Sequence, residues 1–317
     1  MSDAVKTCTE TNHFTAFLDK LYCLYHQSPK NLRELDAAAS EVGVCLRRIG
    51  RVLGVRWVAS SFRTVKAIWM MYAALHSHLT AAGQDVNRTS SERCMYSGLA
   101  VKLSLDAFLR NLGLMMDALE ELKDLSEALQ ARDIRLSQAV NLIKRQTDVF
   151  TAMSEDPENG PFYRRACEAV QQGSFNGIAL HGDRGQKVIN PTQFYEALCQ
   201  SMKDRMVRSE EESLFTKINI LNPETWPSPL PVMYGESELR ELCDQVKVGF
   251  TGVKQAYREY KNKPDTMQKA LLTLRHAVNT IFVSSAECER GFSEMNNVVT
   301  PLRSKLNVEN VSALMFI

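Results

Sequence analysis

Cysteine and histidine have the widest chemistry of the residues in this sequence, but their spacing indicates no metal site. The eight cysteines form no C-x-x-C pair, and the six histidines do not stand at zinc-finger spacing from them. His76 and His78 are two residues apart, which places them on different sides of a helix. Because most cysteines have apolar neighbours, we expect them to be reduced and buried. They are Cys8, Cys23, Cys45, Cys94, Cys167, Cys199, Cys243 and Cys288.

Motifs of the common enzyme classes are also missing. The segment Gly182-Asp183-Arg184-Gly185 suggests phosphate binding, but it lacks the lysine and the strand-to-helix setting of a P-loop, so a plain turn is favoured. We find no G-x-S-x-G, H-E-x-x-H or dinucleotide-binding motif. The sequence therefore lends little support to an ordinary enzyme.

A polar stripe near the C-terminus is the most informative group of side chains. Ser284 and Glu287 have the spacing of a capping box, which predicts that a helix begins there. On that helix Glu289, Ser293 and Asn296 stand at i, i+4 and i+7, beside an apolar stripe.

A second C-terminal helix is expected over residues 307–317, with Val311 and Leu314 facing inward. It ends on Met315-Phe316-Ile317. These three side chains are too apolar to be left in water, so this end must pack against the body of the protein or against a partner.

The C-terminal segment resembles the same region of hAT-superfamily DNA transposases, whose hallmark is S-x-x-x-E-R-x-F-S, then R-x-x-L and a final apolar helix. The matching residues are Ser285, Glu289, Arg290, Phe292, Ser293, Arg303 and Leu306. A second block, Val55-Arg56-Trp57 followed by Ser60-Ser61, resembles the family's threonine-arginine-tryptophan block. The resemblance is strong over the C-terminal segment and weak in the middle of the chain.

This resemblance implies roles for individual residues. In such transposases an all-helical domain is inserted into an RNase H-like sheet that presents two aspartates, and a later glutamate completes the acidic triad. Glu289 matches the third acid, Trp57 matches a tryptophan that stacks on a DNA base, and Arg56 is a candidate phosphate contact. The family also implies a dimerisation region, to which we assign Phe292, Leu306, Val311, Leu314, Met315 and Phe316.

Catalysis of the family's kind needs several acids, because carboxylates must hold two Mg²⁺ ions roughly 4 Å apart. One glutamate cannot do this. The aspartates before Trp57 are Asp3, Asp19 and Asp36, and none stands on a strand-like apolar run. The cysteine and histidine pattern of a zinc-binding BED module is missing too. We therefore expect Met1 to lie near the start of the insertion, no enzyme activity and no cofactor, with magnesium expected only for a complete transposase.

Each assignment has a simpler alternative. For Glu289, a hydrogen bond to Ser293 or to an arginine is favoured over metal binding. Trp57 is favoured as a core anchor over a base-stacking residue. For the C-terminal helices association is favoured over packing within the chain, because the sheet on which they would rest is missing. Arg47, Arg48 and Arg51, expected on the preceding helix, could equally be solvated or paired, and a basic patch there would favour DNA binding.

Apolar residues recur at spacings of three and four along the chain, which predicts an all-α fold. The resemblance divides it into a helical insertion domain and the C-terminal helices of an RNase H-like fold whose sheet is missing. We expect one helix from about Leu32 to Gly54 and another from about Gly98 to Gln130. Residues 173–190 should form a loop with some extended structure near Lys187–Ile189. Thr225–Pro231 is predicted as an extended linker or a packed corner.

We predict an insertion-type domain over 1–224, a linker and connecting helix over 225–266, and the dimerisation region over 267–317. The composition, 44% hydrophobic and 24% charged, is globular, and no run approaches the roughly 20 apolar residues of a membrane span. A net charge of +1 means that DNA contact needs a local basic patch. The polar N-terminus is not a signal peptide, so we expect the nucleus, with the cytoplasm as the alternative.

Three functions are compatible with these observations. The favoured one is a non-catalytic, transposase-derived interaction protein that self-associates, as a homodimer or with related hAT proteins, with DNA left open as a partner. The second is a DNA-binding component of a transposition complex whose catalysis comes from a fuller partner chain. The third is a partial gene model of a complete transposase.

Overall fold

The computed structural model describes residues 9–51, 57–131, 134, 136–182, 187–206 and 217–279, and the single positions 295, 307 and 310. The side chains at 9, 10, 57, 136, 137, 205 and 206 are outside this description. Contacts divide the chain into two compact units, unit 1 with residues 1–125 and 145–206 and unit 2 with residues 126–144 and 207–317. The predicted domain boundaries rest on the resemblance and stay predictions.

Helices make up most of the described chain, which confirms the mostly helical prediction. The RNase H-like origin of the C-terminal helices stays a prediction. None of the described helices is both long and apolar enough to cross a membrane. In chain order the helices are α1 (Thr9–His26), α2 (Pro29–Glu41), α3 (Trp57–Met70), α4 (Tyr72–Gln84), α5 (Ser90–Leu103), α6 (Asp106–Leu129), α7 (Leu136–Glu155), α8 (Pro161–Gln172), α9 (Pro191–Met206), α10 (Glu236–Gln245), α11 (Phe250–Asn262) and α12 (Lys269–Asn279).

Helix α6 forms the centre of unit 1. From Ala107 to Leu119 every side chain is buried except that of Arg110, which is half-buried. A helix that is apolar on all sides has to be covered on all sides. Part of this cover comes from Phe14 and Phe17 of α1, whose rings pack on Phe108 at centroid distances of 5.6 and 4.8 Å.

The buried Asn111 of α6 holds a loop segment in place. Its Oδ1 accepts the Ile189 N–H at 2.9 Å, and its Nδ2 donates to the Lys187 carbonyl oxygen at 3.3 Å. Buried polar groups need hydrogen-bond partners, and this side chain finds them in the backbone of a segment far away in sequence. Asn111 therefore fixes residues 187–189 against the central helix.

Asp117 holds the N-terminus of α8 in the same way. Its carboxylate accepts the N–H groups of Phe162 at 3.1 Å and Tyr163 at 2.8 Å. The close approach of the two helices requires glycine at two positions. A Cβ on Gly113 would lie 2.7 Å from the Phe162 carbonyl oxygen, and one on Gly160 would lie 2.3 Å from Asp117 Oδ2. Two glycines thus make room for a carboxylate that caps a neighbouring helix.

The helix expected from Leu32 to Gly54 was predicted too long, since α2 ends at Glu41. Gly43 has φ +71°, and the Val44 N–H donates to the Ala39 carbonyl oxygen at 2.9 Å. This is a glycine helix stop, which apolar spacing alone does not reveal because Val42 and Leu46 continue the helical pattern beyond it. Residues 44–51 follow without helical structure.

The single helix expected from Gly98 to Gln130 is two helices, α5 and α6. Between them, the Ser104 carbonyl oxygen accepts the His181 N–H at 2.9 Å, and the Asp106 N–H donates to the His181 carbonyl oxygen at 2.9 Å. Backbone hydrogen bonds to a distant residue thus replace those of a continuous helix. The apolar pattern on both sides of Ser104 carries no sign of this exchange.

Extended structure was predicted at the wrong place. A short antiparallel hairpin pairs β1 (Ser174–Phe175) with β2 (Ile178–Ala179), whereas residues 187–190 form no strand. Asn176 and Gly177 both have positive φ, 48° and 81°, as a tight Asn-Gly hairpin turn requires. The hairpin buries Phe175 against Trp69 and Tyr72, with centroid distances of 5.0 Å to each ring.

Helices α10, α11 and α12 enclose the core of unit 2, and the Thr225–Pro231 segment is a packed corner of this unit. The Trp226 Nε1–H donates to the Ile220 carbonyl oxygen at 2.8 Å, and its ring meets that of Tyr260 edge-on at 5.5 Å. The core side chains include Leu239, Leu242, Tyr257, Leu271 and Leu274.

The prediction that the cysteines are buried was wrong for three of them. Cys23, Cys45 and Cys94 are exposed, whereas Cys199 and Cys243 are buried. Apolar neighbours in sequence do not decide which side of a helix a residue faces. Cys167 is half-buried, and Cys8 and Cys288 lie outside the described residues.

Replacing Asp117 with asparagine should change how stability depends on pH. Burial raises the pKa of the Asp117 carboxyl from 3.8 to about 6. Between these two pH values the folded state holds a proton that the unfolded chain releases. The contribution of the protonated Asp117 to the free energy of unfolding is therefore fully present below pH 3.8 and is lost as pH rises through 6. The wild-type free energy of unfolding should therefore fall relative to Asp117→Asn by up to about 3 kcal/mol between pH 4 and 7. Urea unfolding followed by circular dichroism measures it.

The matched control is Asp148→Asn, which removes an exposed carboxyl from α7. The free energy of unfolding of this variant, plotted against pH, should run parallel to that of the wild type because the Asp148 side chain lies in solvent. Parallel curves for Asp117→Asn and the wild type over the same pH range would contradict the assignment.

Candidate functional site

Most of the residues assigned from the sequence are outside the described part of the chain. Trp57 is the first residue of α3, but its side chain is not described. The roles of these residues therefore stay predictions, and the neighbouring segments carry the structural argument. The undescribed site residues are Arg56, Glu289, Phe292, Leu306, Val311, Leu314, Met315 and Phe316.

The segment before Trp57 is tied to α3. The Gly50 N–H donates to Thr64 Oγ1 at 3.1 Å, and the Thr64 hydroxyl donates back to the Gly50 carbonyl oxygen at 2.9 Å. Ile49 is buried beside this pair. A Cβ on Gly50 would lie 3.1 Å from Thr64 Oγ1, so the close contact favours glycine. This arrangement fixes the backbone on which the neighbouring arginines stand.

Four arginines form what we call the arginine surface, namely Arg47, Arg48 and Arg51 of this segment and Arg63 of α3. All four are exposed. Arg63 Nε donates to the Ala59 carbonyl oxygen at 3.1 Å, and none of the four has an ion-pair partner among the described residues. On a chain with net charge +1, these four exposed side chains are a local concentration of positive charge close in sequence to Trp57 or on the helix that it begins.

Helix α12 packs within its own chain. Leu271, Leu274 and Val278 are fully buried in the core of unit 2, whereas Thr273 and His276 are exposed. The apolar positions follow the i, i+3, i+7 spacing of one helical face. The buried face of α12 is therefore used within unit 2.

Two isolated positions describe the start of the final helix. Asn310 is helical, and its N–H donates to Asn307 Oδ1 at 2.9 Å. An asparagine that accepts the N–H three residues later is an N-cap. This agrees with the helix that was expected to begin at Asn307.

A buried polar cluster in unit 1 was missed in the sequence. The side chain of Arg88 is 7% exposed and donates to Tyr96 Oη at 2.8 Å, to Asn31 Oδ1 at 3.3 Å and to the Glu34 carboxylate. Its Nε lies 3.4 Å from Asp85 Oδ2 and forms an ion pair with it, but has no hydrogen-bond partner among the described residues. Arg88 lies within the non-helical residues 85–89, where apolar periodicity gives no signal of burial.

His78 belongs to the same cluster, and the sequence contained a signal for it. It stands four residues after Ala74 and four before Ala82, both buried on α4. Tyr25 Oη lies 2.8 Å from His78 Nδ1, and Glu34 Oε2 lies 3.2 Å from Nε2. Burial lowers the pKa of His78 and outweighs the hydrogen bond to Glu34, which acts in the opposite direction. A neutral ring donates from Nε2 to Glu34 and accepts the Tyr25 hydroxyl at Nδ1. His78 of α4 is thereby linked to α1 and α2.

Metal binding was predicted to be absent, and the described residues include no group of three or more His, Cys, Asp or Glu side chains that could hold an ion. Since Glu289 is not described, its metal-ligand role is not tested by this finding.

Comparison with known proteins locates the relationship at the C-terminus. Residues 269–317 match the family model of the hAT family C-terminal dimerisation region. The match begins at the first residue of α12 and extends to the last residue of the sequence. No solved structure matches the chain. The family match agrees with the resemblance seen in the C-terminal signature, so residues 269–317 are similar to the dimerisation region of the hAT family.

Proposed function

We propose that this chain is a non-catalytic, transposase-derived interaction protein that self-associates through residues 269–317 and acts in the nucleus. The match to a dimerisation region is the observation that carries the proposal. The apolar end Met315-Phe316-Ile317 supports it, because such side chains gain stability only when another surface covers them. The partner is a second copy of this chain or a related hAT protein.

Helix α12 supports a division of labour within this region. Its apolar face is used up in the core of unit 2, so α12 serves to anchor the matched segment to the rest of the chain. The residues available for association then come from the later part, 280–317. In this proposal Leu314 and Phe316 are among the side chains that a partner covers.

The first test is the oligomeric state of the full chain. Sedimentation velocity should show a wild-type dimer, and the double variant Leu314→Asp, Phe316→Asp should be a monomer. Each buried apolar side chain contributes about 1.5–3 kcal/mol, so the double change should weaken dimerisation by roughly a hundredfold or more. Val86→Asp, at a residue that is 81% exposed in unit 1, is the control and should remain a dimer. A monomeric wild type would rule out self-association.

The arginine surface favours a second candidate function, a DNA-binding component of a transposition complex in which a fuller partner chain supplies catalysis. Arg47, Arg48 and Arg51 stand on a backbone held by Thr64, directly before the predicted contacts Arg56 and Trp57. Guanidinium groups bind phosphate oxygens through charge-assisted hydrogen bonds, and tryptophan stacks on unpaired bases. The two functions differ in their DNA selectivity.

DNA affinity should be measured by fluorescence anisotropy with hairpin and plain duplex oligonucleotides over a salt series. Arg47→Glu, Arg48→Glu, Arg51→Glu should weaken binding to both and lower the log–log salt slope by about 2.7 if each arginine neutralises one phosphate. The control Arg164→Glu, Lys203→Glu changes exposed cations of α8 and α9 and should bind like the wild type.

Trp57→Ala separates the two functions. In a transposition component it should reduce affinity for the hairpin more than for the duplex, because only the hairpin presents unpaired bases. In an interaction protein with residual DNA contact it should affect both alike. A wild type that binds neither DNA would exclude DNA from both proposals.

Catalysis should be absent from the chain by itself. One carboxylate, Glu289, does not hold two divalent cations, so incubation of supercoiled plasmid with Mg²⁺ or Mn²⁺ should leave the DNA uncut. Glu289→Ala should behave identically. Cleavage by the wild type that is lost in Glu289→Ala would contradict the proposal, whereas cleavage that persists in this variant identifies a contaminating nuclease and is removed by further purification before the assay is scored.

A further inference from the structure

A groove of about 870 Å³ opens between α1 and α5 in unit 1, with the buried Arg88 at its base. We call it the α1–α5 groove. Its walls are Cys23 and Leu24 of α1 and Met95 and Leu99 of α5. The volume lies within the range of ligand pockets, which is roughly 300–1,000 Å³.

The base of the groove is rigid. Arg88 lies over the Tyr96 ring at 4.5 Å, and the Tyr96 hydroxyl donates to Asn31 Oδ1 at 2.9 Å. Asn31 Nδ2 in turn donates to the Leu24 carbonyl oxygen at 3.1 Å, which ties α2 to the end of α1. Because these hydrogen bonds hold the base together, the groove stays open, and binding needs no free energy to open it.

The α5 wall is only partly covered by the described residues, since Leu99 is buried whereas Met95, Gly98 and Lys102 are exposed. Met95, Gly98, Leu99 and Lys102 stand at i, i+3, i+4 and i+7, and all four line the groove. Met95 is 46% exposed, and a Cβ built on Gly98 meets no heavy atom within 4 Å. This face extends about 10 Å along α5, close to two helical turns. Its length and spacing suit a second helix laid against it.

The rim of the groove carries unpaired positive charge. Lys20 and Lys102 are exposed, and neither has an ion-pair partner in the described part of the chain. Lys30 also lines the groove, 3.6 Å from Glu34. Of the acidic residues that line it, Glu92 is occupied by its capping box with Thr89. Apolar walls below two free lysines complement an occupant with an apolar face and acidic flanks.

We propose that the α1–α5 groove binds an acidic amphipathic helix of another protein, with its apolar side chains between Leu24 and Met95 and its carboxylates on Lys20 and Lys102. The groove lies in unit 1, whereas the region matched to the dimerisation family lies in unit 2. Binding here is therefore a function separate from self-association.

The test uses the full chain and a fluorescein-labelled synthetic peptide with leucine at i, i+3, i+4 and i+7 and glutamate at the other positions. The matched peptide has lysine in place of glutamate. Anisotropy should show that the glutamate peptide binds at least tenfold more tightly than the lysine peptide. Lys20→Glu, Lys102→Glu should weaken its binding at least tenfold, and Lys203→Glu, at an exposed lysine of α9, should leave it unchanged.

Gly98→Phe provides a variant that leaves the charge unchanged. Its side chain enters open space in the groove, so the fold should be kept while the peptide is blocked. Circular dichroism checks the fold of each variant. Loss of binding in both Gly98→Phe and the lysine variant supports the proposal. Unchanged binding in either folded variant overturns it.

The exposed cysteines provide a footprint in the same chain. Cys23 and Cys94 line the groove, whereas the equally exposed Cys45 does not. The glutamate peptide should slow maleimide labelling of Cys23 and Cys94, read by mass spectrometry, and leave Cys45 unaffected. No binding of the glutamate peptide, equal binding of both peptides, or equal protection of all three cysteines would overturn the proposal.

Discussion

The burial of α6 is the constraint on which the rest of unit 1 depends. A helix covered on every side cannot leave a polar side chain without partners, and α6 carries two, Asn111 and Asp117. Each finds its partners in the backbone of a distant segment, the 187–189 loop for Asn111 and the start of α8 for Asp117. The two groups therefore decide which segments lie against the central helix. Hydrophobic burial alone, which has no direction, would not select them.

The same physical requirement shapes the polar cluster at the other side of unit 1. Arg88 is buried only because Asn31, Glu34 and Tyr96 surround its guanidinium group. A buried charge without such partners would be strongly destabilising. In satisfying Arg88, the cluster links α2, α5 and the end of α1, and it forms the rigid base of the α1–α5 groove. One set of hydrogen bonds thus contributes to both the fold and the proposed binding site.

The two units place the proposed activities in different parts of the chain. Unit 1 has the arginine surface and the α1–α5 groove, and both carry exposed basic side chains that have no ion-pair partner among the described residues. Unit 2 contains the segment matched to the hAT dimerisation region, anchored by the buried face of α12.

Sequence alone was sufficient for features that depend on neighbours within about one helical turn. Apolar spacing predicted the helical fold, and Asn307 was correctly placed at a helix start. The C-terminal signature was sufficient to recognise the family over residues 269–317. Tertiary structure decided where α5 ends, since His181 takes the backbone hydrogen bonds at Ser104 and Asp106. It also decided that Arg88 is buried and that Cys23 and Cys94 face a groove. Arg88 and Asn31 are 57 residues apart, and Asp117 and Phe162 are 45 apart, so their pairing leaves no periodic trace in the chain. Helical period is a local property, whereas the satisfaction of a buried polar group depends on whichever segment the fold brings beside it.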